Sequence, residues 1–202
     1  MENSYLASLV YKQIQQDFVS LNMCDLERFF NSFRGDNRVL SFIRYYNRTV
    51  LDKERFDFGE FKHQWAIQGM TKEVIDYFDS NYDNFKKEII EEKNLKKFFI
   101  RYCCRVRKEA SFCSKLFHTF LPDEIPPLDN PIKKMFHLQN EEFINSVFVV
   151  KIGYRMFSKN HTDKIESIRA LLSKPQFKYL RVNELSDLRI LDMYYWLKNR
   201  EK

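Results

Sequence analysis

The sequence predicts an all-α protein, a compact multi-helix domain, from the spacing of its apolar residues and the scarcity of its turn residues. Apolar side chains recur at intervals of three and four residues along almost the whole chain, which is the pattern of amphipathic helices. The 202 residues include only 4 glycines and 5 prolines, too few for the many turns of a β-sandwich or barrel. With 44% hydrophobic and 16% aromatic residues, the chain can build a core, and intrinsic disorder is excluded.

The first half of the chain is expected to form short helices separated by turn residues. Asp25 is the expected cap of the second helix, which Gly35 ends, and the third helix starts at Asn37. Thr71 is a good N-cap, and the helix after it either runs on or restarts after Asn81. The predicted helices of this half cover 6–18, 26–33, 37–46, 56–67 and 74–90.

The second half continues the helical pattern beyond a proline-rich loop at 121–127. Asn130 followed by Pro131 indicates a helix start with the asparagine at the N-cap. Residues 143–157 are apolar enough for a central buried helix, although their valine run leaves a strand as an alternative. Ser186 is expected to cap the last helix. The other predicted helices cover 95–104, 112–120, 165–172 and 187–198, for about nine or ten helices in one domain spanning 1–202.

Charge divides this domain into an acidic helical portion, 1–85, and a basic portion, 86–202. The first holds 10 basic and 13 acidic residues, whereas the segment 86–115 alone holds 10 basic and 4 acidic residues. Four of these basic residues, at positions 97, 101, 105 and 108, are spaced by 4, 4 and 3 residues, which places them on one helical face. Such a face suits a phosphate backbone, and a solvated helix face is the simpler alternative. We name as the basic stripe Lys97, Arg101, Arg105 and Lys108, with Arg107 beside it.

Residues 104–138 resemble the core of the helix-hairpin-helix DNA glycosylase superfamily, which has a K-x-A sequence opening one helix and P-V-D before the next. Lys108 and Ala110 match the first pattern, and the run Pro127-Leu128-Asp129 matches the second. The resemblance implies a glycosylase-like helical core that binds DNA, with Asp129 as the catalytic carboxylate that helps to expel a damaged base. Asp129 is also an ordinary capping residue for the helix that follows.

The chain departs from this family at the hairpin. The family's glycines let backbone amides approach a DNA phosphate, and here Cys104, Arg105, Val106 and Arg107 stand in their place. Arginine and lysine side chains would then replace the amide contacts. We therefore expect binding rather than catalysis.

Arg155 and His161 form a second pattern, because their spacing resembles the R-x₄₋₆-H motif of HEPN ribonucleases, which are also all-helical. In that family the arginine and histidine of two protomers meet and cleave RNA through the 2′-hydroxyl. A chance occurrence of two residues at so loose a spacing is the alternative.

The sequence indicates neither a metal site nor a cofactor. Cys103, Cys104, Cys113 and His118 lack the paired spacing of zinc ligands, so the cysteines are expected to be small buried residues rather than disulfide partners. No signal peptide is apparent, and no apolar run is long enough to span a bilayer. We expect a cytoplasmic protein without membrane contact.

The leading hypothesis is a nucleic-acid-binding protein, with DNA as the expected partner, that acts as a non-catalytic accessory subunit in DNA processing or in bacterial or phage defence. An enzyme is the first alternative: a base-excision glycosylase using Asp129, or a HEPN-like ribonuclease using Arg155 and His161. The second alternative is a protein–protein interaction subunit that binds another chain through its aromatic surface.

Overall fold

The architecture is all-α, as predicted. A computed structural model describes residues 2–103 and 110–200; within these ranges the protein is 75% helical and contains no strand. The α-helices are α1 (Glu2–Val19), α2 (Met23–Ser32), α3 (Asn37–Tyr46), α4 (Phe58–Gln64), α5 (Lys72–Ser80), α6 (Tyr82–Glu92), α7 (Leu95–Phe98), α8 (Ala110–Phe120), α9 (Asn130–Met135), α10 (Phe143–Asn160), α11 (Thr162–Leu172) and α12 (Asp187–Lys198). Two π-helical segments, Asn47–Leu51 and Phe99–Cys103, and two 3₁₀ helices, Pro175–Leu180 and Val182–Glu184, accompany them.

Side-chain caps start several of these helices, and two of the predicted caps are wrong by a few residues. Thr71 and Ser186 cap α5 and α12 as expected. The cap of α2 is Asn22 rather than Asp25, because the Asn22 side chain accepts a hydrogen bond of 2.8 Å from the Asp25 amide. The cap of α9 is Asp129, which confirms the capping alternative for that residue, so the cap predicted at Asn130 is wrong by one residue. In both cases two residues that can cap lie close together, and the one with extended backbone takes the role.

Residues 143–160 form a helix, α10, so the strand alternative is wrong. Most of its apolar residues are fully buried, and α1 packs along much of its length. Gly153 allows this close approach, since a Cβ atom placed there would lie 2.5 Å from Val10 Cγ1 of α1. The valine run therefore faces neighbouring helices, where β-branched side chains pack well despite their modest helix propensity.

Helix α8 lies in the centre of the fold, with nine of its eleven residues buried. Aromatic rings fill much of the surrounding core. Phe112, for example, contacts Phe58, Phe61 and Phe78 with ring centroids 4.8–6.1 Å apart. The many phenylalanines are thus mainly core residues in the described ranges, as their helical spacing predicts.

The segment around the cysteines differs from the prediction in two respects. The single helix expected at 95–104 is a short α7 that continues as the π-helical segment Phe99–Cys103, while residue 104 lies outside the described ranges. Cys103 and Cys113 are joined by a disulfide bond, so the expectation of unpaired buried cysteines is wrong for these two. Helix α8 packs against the π-helical segment, and this contact brings Cys103 and Cys113 together although they are ten residues apart in the sequence. Cys24 is a free, exposed cysteine.

Candidate functional site

A cavity of about 890 Å³ opens between α3, the end of α4, the start of α8, the loop before α9, and α12. Its volume lies in the range typical of small-molecule and cofactor pockets. We call it the α12 cavity. Its wall combines aromatic rings with charged and amide side chains, including Phe42, Trp65, Ser111, Asp129, Arg189, Asp192 and Trp196.

Three aromatic rings form one side of the α12 cavity. The ring centroid of Phe42 lies 4.9 Å from that of Trp65 and 4.8 Å from that of Trp196. Trp196 is half-buried, and the guanidinium carbon of Arg200 lies 4.4 Å from its ring centroid. Phe42 and Trp65 are buried, so the half-buried Trp196 is the ring of this group on which a planar ring could stack.

A buried ion pair on α12 contributes charge to the same wall. Arg189 and Asp192 are one helical turn apart, their side chains are 4% and 2% exposed, and they form a salt bridge. Arg189 Nε and Asp192 Oδ1 have no hydrogen-bond partner, although both atoms are buried. Burial raises the pKa of Asp192 to about 7 against the opposing effect of Arg189. The pair therefore keeps an unused donor and an unused acceptor beside the cavity.

Tyr46 packs against Arg189, and His118 holds Tyr46 in place. The Arg189 guanidinium lies 4.3 Å from the centroid of the Tyr46 ring, and the Tyr46 hydroxyl lies 2.8 Å from His118 Nε2. His118 Nδ1 lies 2.7 Å from the carbonyl oxygen of Ile125, which can only accept, so Nδ1 carries the proton and Nε2 accepts from Tyr46. Burial lowers the pKa of His118 to about 3 and holds the ring neutral. His118 is thus a core histidine that fixes Tyr46.

Asp129, the predicted catalytic residue, lies at the cavity wall and caps α9 at the same time. Its Oδ1 accepts a 3.0 Å hydrogen bond from the Ile132 amide, and its side chain is only half-buried. Two serines of α8 fix the loop before it, because Ser111 Oγ donates to the Leu128 carbonyl at 3.1 Å and Ser114 Oγ accepts from the Leu128 amide at 3.2 Å. Asp129 therefore caps α9. Its place on the cavity wall is consistent with the catalytic role, which stays a hypothesis.

Three buried charged residues of this wall were not predicted from the sequence: Lys115, Arg189 and Asp192. Lys115 is 8% exposed and its ammonium donates to the Trp65 carbonyl oxygen at 3.1 Å. All three occur within strongly apolar helical segments, at positions where the helical spacing calls for core residues. A charge on the apolar face of a predicted helix is the signal that could have found them.

The described part of the basic stripe lies outside the α12 cavity, and its charges are paired. The Lys97 ammonium lies 2.7 Å from a carboxylate oxygen of Glu92, and the Arg101 guanidinium lies 2.8 Å from one of Glu88. Both cations border a shallow depression on α7 and the π-helical segment. The other stripe residues, Arg105, Arg107 and Lys108, lie outside the described residues.

Arg155 and His161, the candidate ribonuclease pair, make different contacts. The His161 ring stacks on Phe157 with centroids 4.7 Å apart, and its Nε2 lies 3.2 Å from the Tyr11 hydroxyl. Arg155 is exposed and borders a depression beside the start of α12. No hydrogen bond joins Arg155 and His161 within one chain, so a ribonuclease site of this kind would depend on a second protomer.

Metal-binding clusters and membrane-spanning helices are both absent from the described ranges. In residues 2–103 and 110–200, no group of three or more His, Cys, Asp or Glu side chains is arranged to hold a metal ion. No helix in these same ranges combines the length and apolar content needed to cross a bilayer.

Comparison with known proteins identifies no relative of this chain. The chain matches no family model, no curated protein and no solved structure. The resemblance of residues 104–138 to the helix-hairpin-helix glycosylases therefore depends on Lys108, Ala110 and the run 127–129 alone.

Proposed function

We propose that this protein binds nucleic acid and receives one unstacked base in the α12 cavity. The observation that carries the proposal is the wall of this cavity, which combines stacking surfaces with a buried donor and a buried acceptor that have no partner. A base presents both a π-face and an edge on which donors and acceptors alternate. Both unpaired atoms are covered in this structure, so a shift of the Arg189 and Asp192 side chains on binding would expose Arg189 Nε as a donor and Asp192 Oδ1 as an acceptor to such an edge.

The adjacent sequence supports a nucleic acid rather than a free small molecule. Ala110 and Ser111 line the cavity, and they directly follow residues 104–109, which contain Arg105, Arg107 and Lys108. Three cations among the six residues that directly precede this cavity-lining segment in the sequence suit the phosphates that flank a bound base. A non-catalytic accessory role in DNA processing or phage defence is the form of this function that we favour.

Fluorescence measurements on short DNA test the proposal. Single-stranded DNA carrying 2-aminopurine should bind with an affinity that falls steeply as salt rises, and its fluorescence should change when the base enters the cavity. Trp196→Ala should abolish the fluorescence change and weaken binding about fivefold to 150-fold, because stacking of one base is worth about 1–3 kcal/mol.

Tyr5→Ala is the matched control, since Tyr5 is an aromatic residue that is 67% exposed and lies outside the cavity wall. It should leave both signals unchanged. Salt-independent binding, or no binding to single-stranded and duplex DNA, contradicts the proposal. If both substitutions change the affinity and the fluorescence equally, the protein binds DNA at a site other than the α12 cavity.

A base-excision glycosylase is the second candidate, favoured by the position of Asp129 on the cavity wall. Asp129→Asn removes the carboxylate while asparagine still caps α9, so the fold should be retained. In assays with uracil, alkylpurine and oxidised-guanine substrates, loss of base release in this variant supports the glycosylase. Absence of release by the unmodified protein on all three substrates argues against it.

A further inference from the structure

A second set of cations lies on helix α10, away from the basic stripe. Lys151, Arg155 and Lys159 are spaced by four residues, so they follow one another along one face of the helix over about 12 Å. Arg155 and Lys159 are exposed, and Lys151 is half-buried. Lys93 joins them from the end of α6 through Glu124, to which its ammonium bonds at 2.5 Å. We call these four residues the α10 basic face.

The charges of the α10 basic face are only partly compensated. Glu124 is the shared carboxylate: the hydrogen bond from Lys93 lowers its pKa, and Lys151 and Arg155 contribute in the same direction. Burial and the nearby Arg155 lower the pKa of Lys151, which reflects crowding among the cations. Within the described ranges, neither Arg155 nor Lys159 has a carboxylate within salt-bridge distance.

Two other carboxylates border the same surface. Asp123 is exposed beside Arg155 in the depression at the start of α12. Asp187 lines the same depression, but its Oδ1 is already bound by the Arg169 guanidinium at 2.7 Å. Four cations therefore face Glu124 and Asp123, which leaves a net charge of about +2 on this surface. The described stripe residues, Lys97 and Arg101, are each matched by a carboxylate instead.

We propose that the α10 basic face is a phosphate-binding surface on which the backbone of a bound nucleic acid lies. The proposal rests on the proposed function, and it assigns the backbone contacts to residues that the stripe does not contain. Phe143, the first residue of α10, lines the α12 cavity, and Lys151 follows about 12 Å along the same helix. A strand with one base in the cavity could continue along α10 and meet Lys151, Arg155 and Lys159 in turn.

The test uses the full chain and a fluorescein-labelled single-stranded DNA, with anisotropy titrations over a series of salt concentrations. Each phosphate contact contributes about 0.7 to the slope of log affinity against log salt for single strands. The double variant Arg155→Ala/Lys159→Ala should therefore lower the slope by about 1.4 and weaken binding about 25-fold at about 0.1 M salt. Both side chains are exposed, so the fold should be unaffected.

The matched control is Lys72→Ala/Lys178→Ala, which removes the same charge from two exposed lysines outside the α10 basic face. It should leave the slope within about 0.3 of the starting value. If the unmodified protein binds DNA and the two double variants behave alike, the inference is wrong while the proposed function stands. If the unmodified protein does not bind, both are wrong. A third outcome is that the Arg155→Ala/Lys159→Ala variant loses binding to phosphatidylserine vesicles but keeps its affinity for DNA. That result would assign the surface to a membrane and overturn the inference.

Discussion

The contact between α1 and α10 depends on the absence of a side chain at Gly153. A Cβ atom there would lie 2.5 Å from Val10 Cγ1, 2.8 Å from Val10 Cβ and 3.3 Å from the Ala7 carbonyl oxygen. Val10 and Ala7 are themselves almost fully buried, so neither can turn into solvent. Gly153→Ala should therefore force the two helices apart or displace Val10 from its preferred rotamer.

Two opposing effects determine the size of the change. Alanine in a helix interior is about 1 kcal/mol more favourable than glycine. Inserting a methyl group into a packed core costs about 1–3 kcal/mol, and a clash that includes backbone belongs at the upper end of that range. We therefore expect a net loss of about 2 kcal/mol in the free energy of unfolding, or about 4–8 °C in Tm for a chain of this length.

Urea unfolding followed by circular dichroism measures this loss, and Gly35→Ala is the matched control. A Cβ at Gly35 would meet nothing within 4 Å, so that variant should be unchanged or slightly more stable. Val10→Ala should lower the free energy of unfolding less in the Gly153→Ala protein than in the unmodified one. The new methyl group at position 153 fills part of the space that the Val10 side chain leaves. A Gly153→Ala protein as stable as the Gly35→Ala protein would refute the packing argument.

The remaining predictions concern the pH dependence of stability. His118 has a pKa of about 3 when folded and an ordinary value of 6.5, so its contribution to stability is present above pH 6.5 and is lost as the pH falls. Asp192 has a pKa of about 7 when folded and an ordinary value of 3.8, so its contribution is present below pH 3.8 and is lost as the pH rises towards 7. Between pH 3.8 and 6.5 the two effects oppose each other at about 1.4 kcal/mol per pH unit each. Relative to the unmodified protein, His118→Gln should lose stability as the pH rises through this window and Asp192→Asn should gain it, both measured by urea unfolding. Identical pH profiles for all three proteins would contradict both assignments.

Local sequence signals predicted most helix positions because helix starts and helical faces depend on neighbouring residues. Thr71 and Ser186 were identified as caps, since each precedes an apolar periodic segment and its hydroxyl bonds an amide three residues on. The caps predicted at Asp25 and Asn130 were wrong because, at each helix start, two residues that can cap lie within a few positions of one another. The disulfide between Cys103 and Cys113 could not be predicted, because it requires the path of the chain between two helical segments.

The candidate site was only partly accessible from the sequence. Asp129 was singled out from a short pattern, and it does lie on the cavity wall. Arg189 and Asp192 were not, because a pair of opposite charges three residues apart is usual on an exposed helix face, and only the packing of α12 shows that both are buried. Likewise the spacing of Lys97 and Arg101 predicted a common face, but their pairing with Glu92 and Glu88 depends on how α6 lies beside α7 and the π-helical segment.

By itself, the sequence determined the all-α class, the approximate positions of most helices and the uneven distribution of charge. These properties follow from hydrophobic periodicity, capping and composition, which act within a few residues. Only the tertiary structure decided that α1 packs on α10 at Gly153, that α12 brings a buried ion pair to a cavity shared with Asp129, and which cations are compensated. Those features depend on side chains that are distant in sequence and meet only when the helices pack, so no local pattern encodes them.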